Sequence, residues 1–172
     1  KKQDTANVIV LVKNLEGLQN MYRLVSEAHV DYYGNKKPRV LKSHIEKYRE
    51  GLIIGSSLSS HFMNDGELSN YYMRYDYEKI EKNIDFYDYI ELLPRGAYSE
   101  LYEDDGTGTI SSFTMIEDMN KYFYNLAKER GKLVTASSNV HYINENDSKI
   151  RSILLYGSGS VYRANQYKTD NK

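Results

Sequence analysis

Four short apolar runs punctuate the chain, each followed by residues whose apolar positions recur at helical spacing. Val8–Val12 is continuous, β-branched and apolar, as in a strand buried on both faces. Asn14 follows as a candidate N-cap, and Leu15, Leu18, Met21, Tyr22, Val25 and Ala28 form one stripe of a helix running to about His29. The polar segment 31–40, with Gly34 and Pro38, reads as a loop. Ser43 and Glu46 have capping-box spacing, which predicts a short helix that stops at Gly51. Leu52-Ile53-Ile54 is the second strand, closed by Gly55. The stretch 56–73 is ambiguous, a helix broken near Asn64-Asp65-Gly66, and 76–83 reads as helical.

Phe86–Leu93 is the third strand, ended by Pro94, and 95–112 is mostly loop. Thr114 and Glu117 form another capping box. Phe113, Ile116, Met119, Phe123 and Leu126 supply the buried stripe of a helix that ends at Gly131. Leu133–Ala136 is the fourth strand, and Asn144 caps a last helix to about Tyr156. The alternation predicts an α/β fold, with the four strands parallel, mostly adjacent and flanked by outer helices. A closed eight-stranded barrel usually takes about 250 residues. This chain has 172 and reads as about half of one. Residues 1–156 form the folded part, and 157–172, Gly/Ser-rich and then polar, a flexible tail.

Composition narrows the function. A net charge of -1 gives no global attraction to nucleic acid or an anionic membrane. No apolar run approaches the roughly 20 residues of a membrane span, and no secretory signal precedes the first strand. The absence of cysteine excludes disulfides, thiolate zinc sites and cysteine nucleophiles, and a cytoplasmic location is the expectation. Eighteen tyrosines could be stacking platforms for bases, but their scatter through every segment points to codon bias.

The most informative candidate is Ser138-Asn139-Val140-His141-Tyr142, directly after the fourth strand. In β/α barrels, functional groups gather at the C-terminal ends of the strands. Asn139 and His141 there are candidate metal ligands, against the reading of a capping Asn and a buried, satisfied His. Divalent sites want several imidazoles or carboxylates, and His29, His44 and His61 fall on predicted helices or loops as surface residues. Glu103–Ile110 resembles a calcium loop, but Thr114 occupies the twelfth position where a bidentate Glu is needed. Gly157-Ser158-Gly159-Ser160 lacks the Lys of a phosphate loop. Gly55-Ser56-Ser57-Leu58-Ser59 lacks the second Gly of a nucleophile elbow. Lys36, Lys37 and Arg39 make a small basic patch that reads as a solvated loop.

Five stretches in order resemble one family: Asn7–Asn14, Gly17–Glu27, Lys37–Ser56, Phe86–Leu92 and Ala136–Ile143. They are similar to the polymerase-and-histidinol-phosphatase (PHP) domain of PolC-type DNA polymerase III alpha subunits of low-GC Gram-positive bacteria and mollicutes. The resemblance implies a partial PHP-type distorted β/α barrel, from the segment that follows an inserted proofreading exonuclease. It implies that Asn7 stands where the family has a His and Leu58 where it has a Cys. Asn139 occupies an Asp/Asn position and His141 that of the final His. The expected site is therefore a residual, weak one for zinc or manganese at Asn139 and His141, converging with Asn7 and the Gly55–Leu58 turn.

By this resemblance the chain is expected to be a fragment of a replicative DNA-directed DNA polymerase, a nucleotidyltransferase that uses magnesium in a palm domain absent here. The fragment itself is expected to be a catalytically silent scaffold. The alternative is an active metal-dependent phosphoesterase of the PHP superfamily; a nucleic-acid-binding module is disfavoured by the neutral charge. Expected partners are the remainder of the alpha subunit with its exonuclease insertion, DNA through the parent, and a second copy by self-association.

Overall fold

The computed structural model describes residues 5–34, 37–57, 66–94, 113–137, 140 and 142–157. Strand β1 (Val8–Val12) leads into helix α1 (Leu15–Val30), whose first turn is closed by Asn14 Oδ1 accepting from Gly17 N at 2.9 Å. A small hairpin, β2 (Tyr33–Gly34) with β3 (Lys37–Pro38), occupies part of the segment expected as loop. Helix α2 (Lys42–Lys47) then returns the chain to β4 (Leu52–Ser56). Helices α3 (Glu67–Met73) and α4 (Tyr77–Asn83) and a 3₁₀ turn (Ile84–Phe86) precede β5 (Tyr89–Leu92). Helix α5 (Phe113–Glu129), β6 (Leu133–Ala136) and α6 (Asp147–Gly157) follow.

The four-stranded sheet has the order β1-β4-β5-β6. As expected, β4, β5 and β6 are parallel. β1 is not: it pairs antiparallel with β4, Val8 opposite Ser56 and Val12 opposite Leu52. The cause is the connection. Helices α1 and α2 bring the chain back to the end of the sheet where β1 finished, so β4 starts beside Val12 and runs the other way. Gly17 and Gly51 weld that corner. A Cβ on Gly17 would lie 1.8 Å from the Gly51 carbonyl oxygen, and Gly51 itself has φ +72. Only glycine at both positions lets the start of α1 sit on the entry to β4.

Helices α1 to α5 share one face of the sheet. Leu52, Ile54 and Ile90 pack with Leu24, Leu68, Ile80, Ile116, Met119 and Phe123 in one buried cluster. The stripe expected on α5 is confirmed at Ile116, Met119, Phe123 and Leu126. Strand alternation sends Ile9, Leu11, Ile53, Tyr89, Glu91 and Leu133 to the other face. There Leu11 and Leu133 remain 48% and 66% exposed.

Local expectations shift for identifiable reasons. Ser43 does not cap α2: the helix starts at Lys42, and its N-cap is Leu41, without a side-chain bond. Thr114 likewise lies inside α5, which begins at Phe113. Gly55 does not close β4, because the missing side chain admits the Tyr89 ring and the strand runs on to Ser56. The third strand begins at Tyr89 rather than Phe86, since residues 84–86 wind into the 3₁₀ turn. At α6 the bond runs opposite to a simple Asn cap: Asn144 N donates to Asp147 Oδ2 at 3.1 Å. Ser43 and Asn144 satisfied spacing rules, but the neighbouring backbone found other partners.

Candidate functional site

The carboxyl ends of β4, β5 and β6 form one edge of the sheet, and the antiparallel sense of β1 brings its start to the same edge. Asn7 forms an isolated parallel bridge with Gly66, the residue before α3, while Val8 faces Ser56. The expected juxtaposition of Asn7 with the Gly55 turn thus holds for the described residues. Had β1 been parallel, Asn7 would have lain at the opposite edge. Ser138, Asn139, His141, Leu58, His61 and the acidic stretch 103–110 lie outside the described residues.

Side chains cross-link this edge. Ser56 is 2% exposed, and its Oγ accepts from Glu91 N at 3.1 Å, joining β4 to β5. Ser137 N donates to Leu92 O at 3.0 Å, and Ser137 Oγ donates to Glu91 Oε1 at 2.5 Å, joining β6 to β5. Tyr89, on the same face as Glu91, lies over Gly55. Burial first, then the Glu91 carboxylate, holds the Tyr89 phenol above its ordinary value. Beside these groups, Leu92, Leu93, Pro94, Asn120, Ala136 and Ser137 line an open cavity of about 460 Å³.

Sequence reasoning singled out neither Glu91 nor Asn120. The signal for Glu91 was present in Tyr89-Ile90-Glu91-Leu92, where alternation puts the carboxylate opposite the buried Ile90. Asn120 carried none, because a polar residue one turn from Phe123 reads as a solvated helix position. His29 is exposed as expected, its Nδ1 2.8 Å from Val25 O. His44 is not a free surface residue: its Nδ1 lies 2.6 Å from Glu27 Oε2, and Tyr48 Oη donates to Glu27 Oε1 at 2.6 Å. This cluster ties α2 to α1. The Tyr48 bond, then His44, holds the Glu27 carboxyl below its ordinary value.

A tightly bound divalent ion requires several carboxylates or imidazoles. Of Asn7, Ser56, Glu91 and Ser137, only Glu91 is such a group, and its Oε1 is engaged by Ser137. Among the described residues no three His, Asp or Glu side chains gather. These side chains by themselves do not fit a tight metal centre. Among the described residues, no helix is long and apolar enough to cross a membrane.

A sheet whose functional groups meet at the carboxyl ends of its strands is the arrangement of a β/α-barrel segment, and the family can be stated. A family model described as PHP domain matches residues 1–103, and the chain belongs to that family. The chain is similar to the DNA polymerase III PolC-type of Oceanobacillus iheyensis, 36% identical over 146 residues, which are 85% of this chain and 10% of that protein. It is 34% identical to the Clostridium perfringens protein of the same name, over all of this chain and 12% of the relative. The Bacillus subtilis protein of that name is 33% identical over 92% of the chain and 10% of its own length. The chain therefore spans about a tenth of the length of the curated relatives it matches.

Proposed function

We propose that this chain is the later part of the PHP domain of a PolC-type DNA polymerase III alpha subunit. In that setting it acts as a scaffold whose metal site has decayed. The parent enzyme would add deoxynucleotides to primed DNA with magnesium in its palm domain. This segment would buttress the rest of the alpha subunit and its exonuclease insertion, in the cytoplasm. The observation that carries the reading is the ligand count at the strand ends: Asn7 and two serines, with Glu91 as the one carboxylate among the described residues. Asn139 and His141 would add at most two ligands, enough for weak binding of zinc or manganese and too few for a tight site.

The uncovered sheet face, with Leu11 and Leu133 exposed, supports association of the isolated chain with a second copy. Metal analysis of the purified protein, with titration of zinc and manganese, tests the scaffold reading. The expected result is substoichiometric metal and no phosphoesterase turnover. His141→Ala is expected to leave nucleotide incorporation by the parent polymerase largely intact. Stoichiometric tightly bound metal, or phosphoesterase activity lost in His141→Ala, would show a living site and overturn the proposal.

A further inference from the structure

The net charge of -1 averages over a chain whose cations are unevenly placed. Segment 32–49 holds six Lys and Arg residues against one acid, Glu46. Within it, Lys42 pairs with Glu67 and Arg49 with Asp88. Lys37, Arg39 and Lys47 have no ion pair among the described residues.

Arg23 on α1 meets Lys47 on α2 at one aromatic ring. The guanidinium carbon of Arg23 lies 6.0 Å from the centre of the Tyr48 ring, and Lys47 Nζ lies 4.6 Å from the same centre. The ring's quadrupole attracts both. The Tyr48 hydroxyl holds the Lys47 ammonium above its ordinary value, and the Arg23 charge opposes this, so the two cations are within electrostatic reach of each other. Arg23 is anchored from inside the fold. Asn20 is 5% exposed; its Nδ2 donates to Glu50 O at 2.8 Å, and its Oδ1 accepts from Arg23 Nη1 at 3.1 Å. The other N–H groups of the guanidinium fork have no acceptor among the described residues. Glu27 lies one turn on from Arg23, but its oxygens are taken by Tyr48 Oη and His44 Nδ1, both at 2.6 Å.

Two cations held against one ring, with no carboxylate bound to either, make a receptor for an anion. A phosphate suits it, because its several oxygens can meet a guanidinium edge and an ammonium together. The neighbouring surface selects the source of that phosphate. Tyr22, next to Arg23 in sequence, is 63% exposed. Tyr33 is also exposed, its ring stacked 6.2 Å from His29, and it pairs across the hairpin with Pro38, between Lys37 and Arg39. Cations interleaved with open aromatic faces suit single-stranded nucleic acid, whose phosphates track the charges while its bases stack. An acidic peptide or an anionic membrane has no use for the stacking faces. We infer that the α1–α2 surface centred on Arg23, Lys47 and Tyr48 holds the phosphate backbone of a single-stranded nucleic acid, with the β2–β3 hairpin extending the contact.

The test titrates the full chain into a fluorescein-labelled thymidine oligonucleotide of about 15 nucleotides, at low salt, followed by anisotropy. Saturable binding is expected. Arg23→Gln and Lys47→Gln should each weaken it roughly tenfold, the loss of one charge-assisted contact. Each should also flatten the slope of log affinity against log salt by about 0.7, one phosphate contact on a single strand. Both side chains belong to exposed residues, so both variants should fold, checked by circular dichroism. Lys82→Gln, at an exposed lysine of α4 paired with Glu78, should bind as the unaltered chain does. Sodium phosphate should displace the oligonucleotide more strongly than sodium chloride at equal ionic strength. The proposal is overturned by absent binding, by unchanged affinity in either variant, by an equal loss in Lys82→Gln, or by equal displacement with chloride. It is also overturned if poly-glutamate or phosphatidylserine vesicles bind as tightly as the oligonucleotide. None of these readouts depends on the ligand count at the strand ends, so this inference and the scaffold reading can fail separately.

Discussion

The two ends of the sheet are built on opposite electrostatic plans. At the amino ends of the parallel strands, Arg49, Asp85, Asp88, Arg130 and Lys132 are tied to partners. Asp88 accepts from Ile54 N at 2.7 Å through one oxygen and pairs with Arg49 at 2.7 Å through the other. Lys132 donates to Tyr87 O at 2.7 Å, and Arg130 pairs with Asp85 at 2.9 Å. At the carboxyl ends Glu91 has a serine for a partner and Asn120 Oδ1 has none. One end is closed by its own residues and holds the strands in register. The other leaves acceptors open, which is the division between stability and function expected of β/α architectures.

The sharpest challenge to this contrast is at the closed end. Gly51→Ala places a Cβ into Asn14 and Gly17 at a residue with φ +72. It should destabilise the fold by about 3 kcal/mol or more, read as a large drop in denaturation midpoint. A shift of less than about 1 kcal/mol would show that the α1–β4 corner yields more than its packing indicates. Next in size is Asp88→Ala, which orphans Ile54 N and frees Arg49. A loss of about 2 kcal/mol is expected in chemical denaturation. The corresponding change at the open end, Glu91→Gln, should cost less than about 1 kcal/mol, because the glutamine oxygen still accepts from Ser137. Equal losses for Asp88→Ala and Glu91→Gln would erase the distinction between the ends.

The smallest expected effect is the pH dependence. Glu27 is held below its ordinary value of 4.5 by the Tyr48 hydrogen bond and then by His44. A depressed carboxyl contributes stability that is present above the unfolded value and lost as pH falls through the folded one. Stability should therefore decline on acidification below about 4.5. Glu27→Gln should flatten part of that slope, measured as denaturation midpoint against pH. Asp76, lowered by its hydrogen bond to Lys79, adds to the slope in the same direction and would remain in that variant.

What was legible in the linear order was set by local physics. The runs at Val8–Val12, Leu52–Ile54 and Leu133–Ala136 are strands, and Ile116, Met119, Phe123 and Leu126 are buried, because apolar side chains at the period of an element must find the core. The PHP family was legible as well, through short stretches in a fixed order. Capping boxes were less dependable: a spacing offers a hydrogen bond, and at Ser43 the packed chain did not take it.

The direction of β1 was decided only by the tertiary structure. Reversal follows from where the α1–α2 connection delivers the chain, at a corner where two glycines 34 positions apart must touch. The same reversal brings Asn7 to the carboxyl edge. Glu91 and Asn120 likewise acquired their meaning from neighbours distant in sequence, Ser137 and Leu93. A residue's periodicity reports whether it faces the core. Whether its charge or its oxygen is satisfied depends on what the rest of the chain places within hydrogen-bond reach.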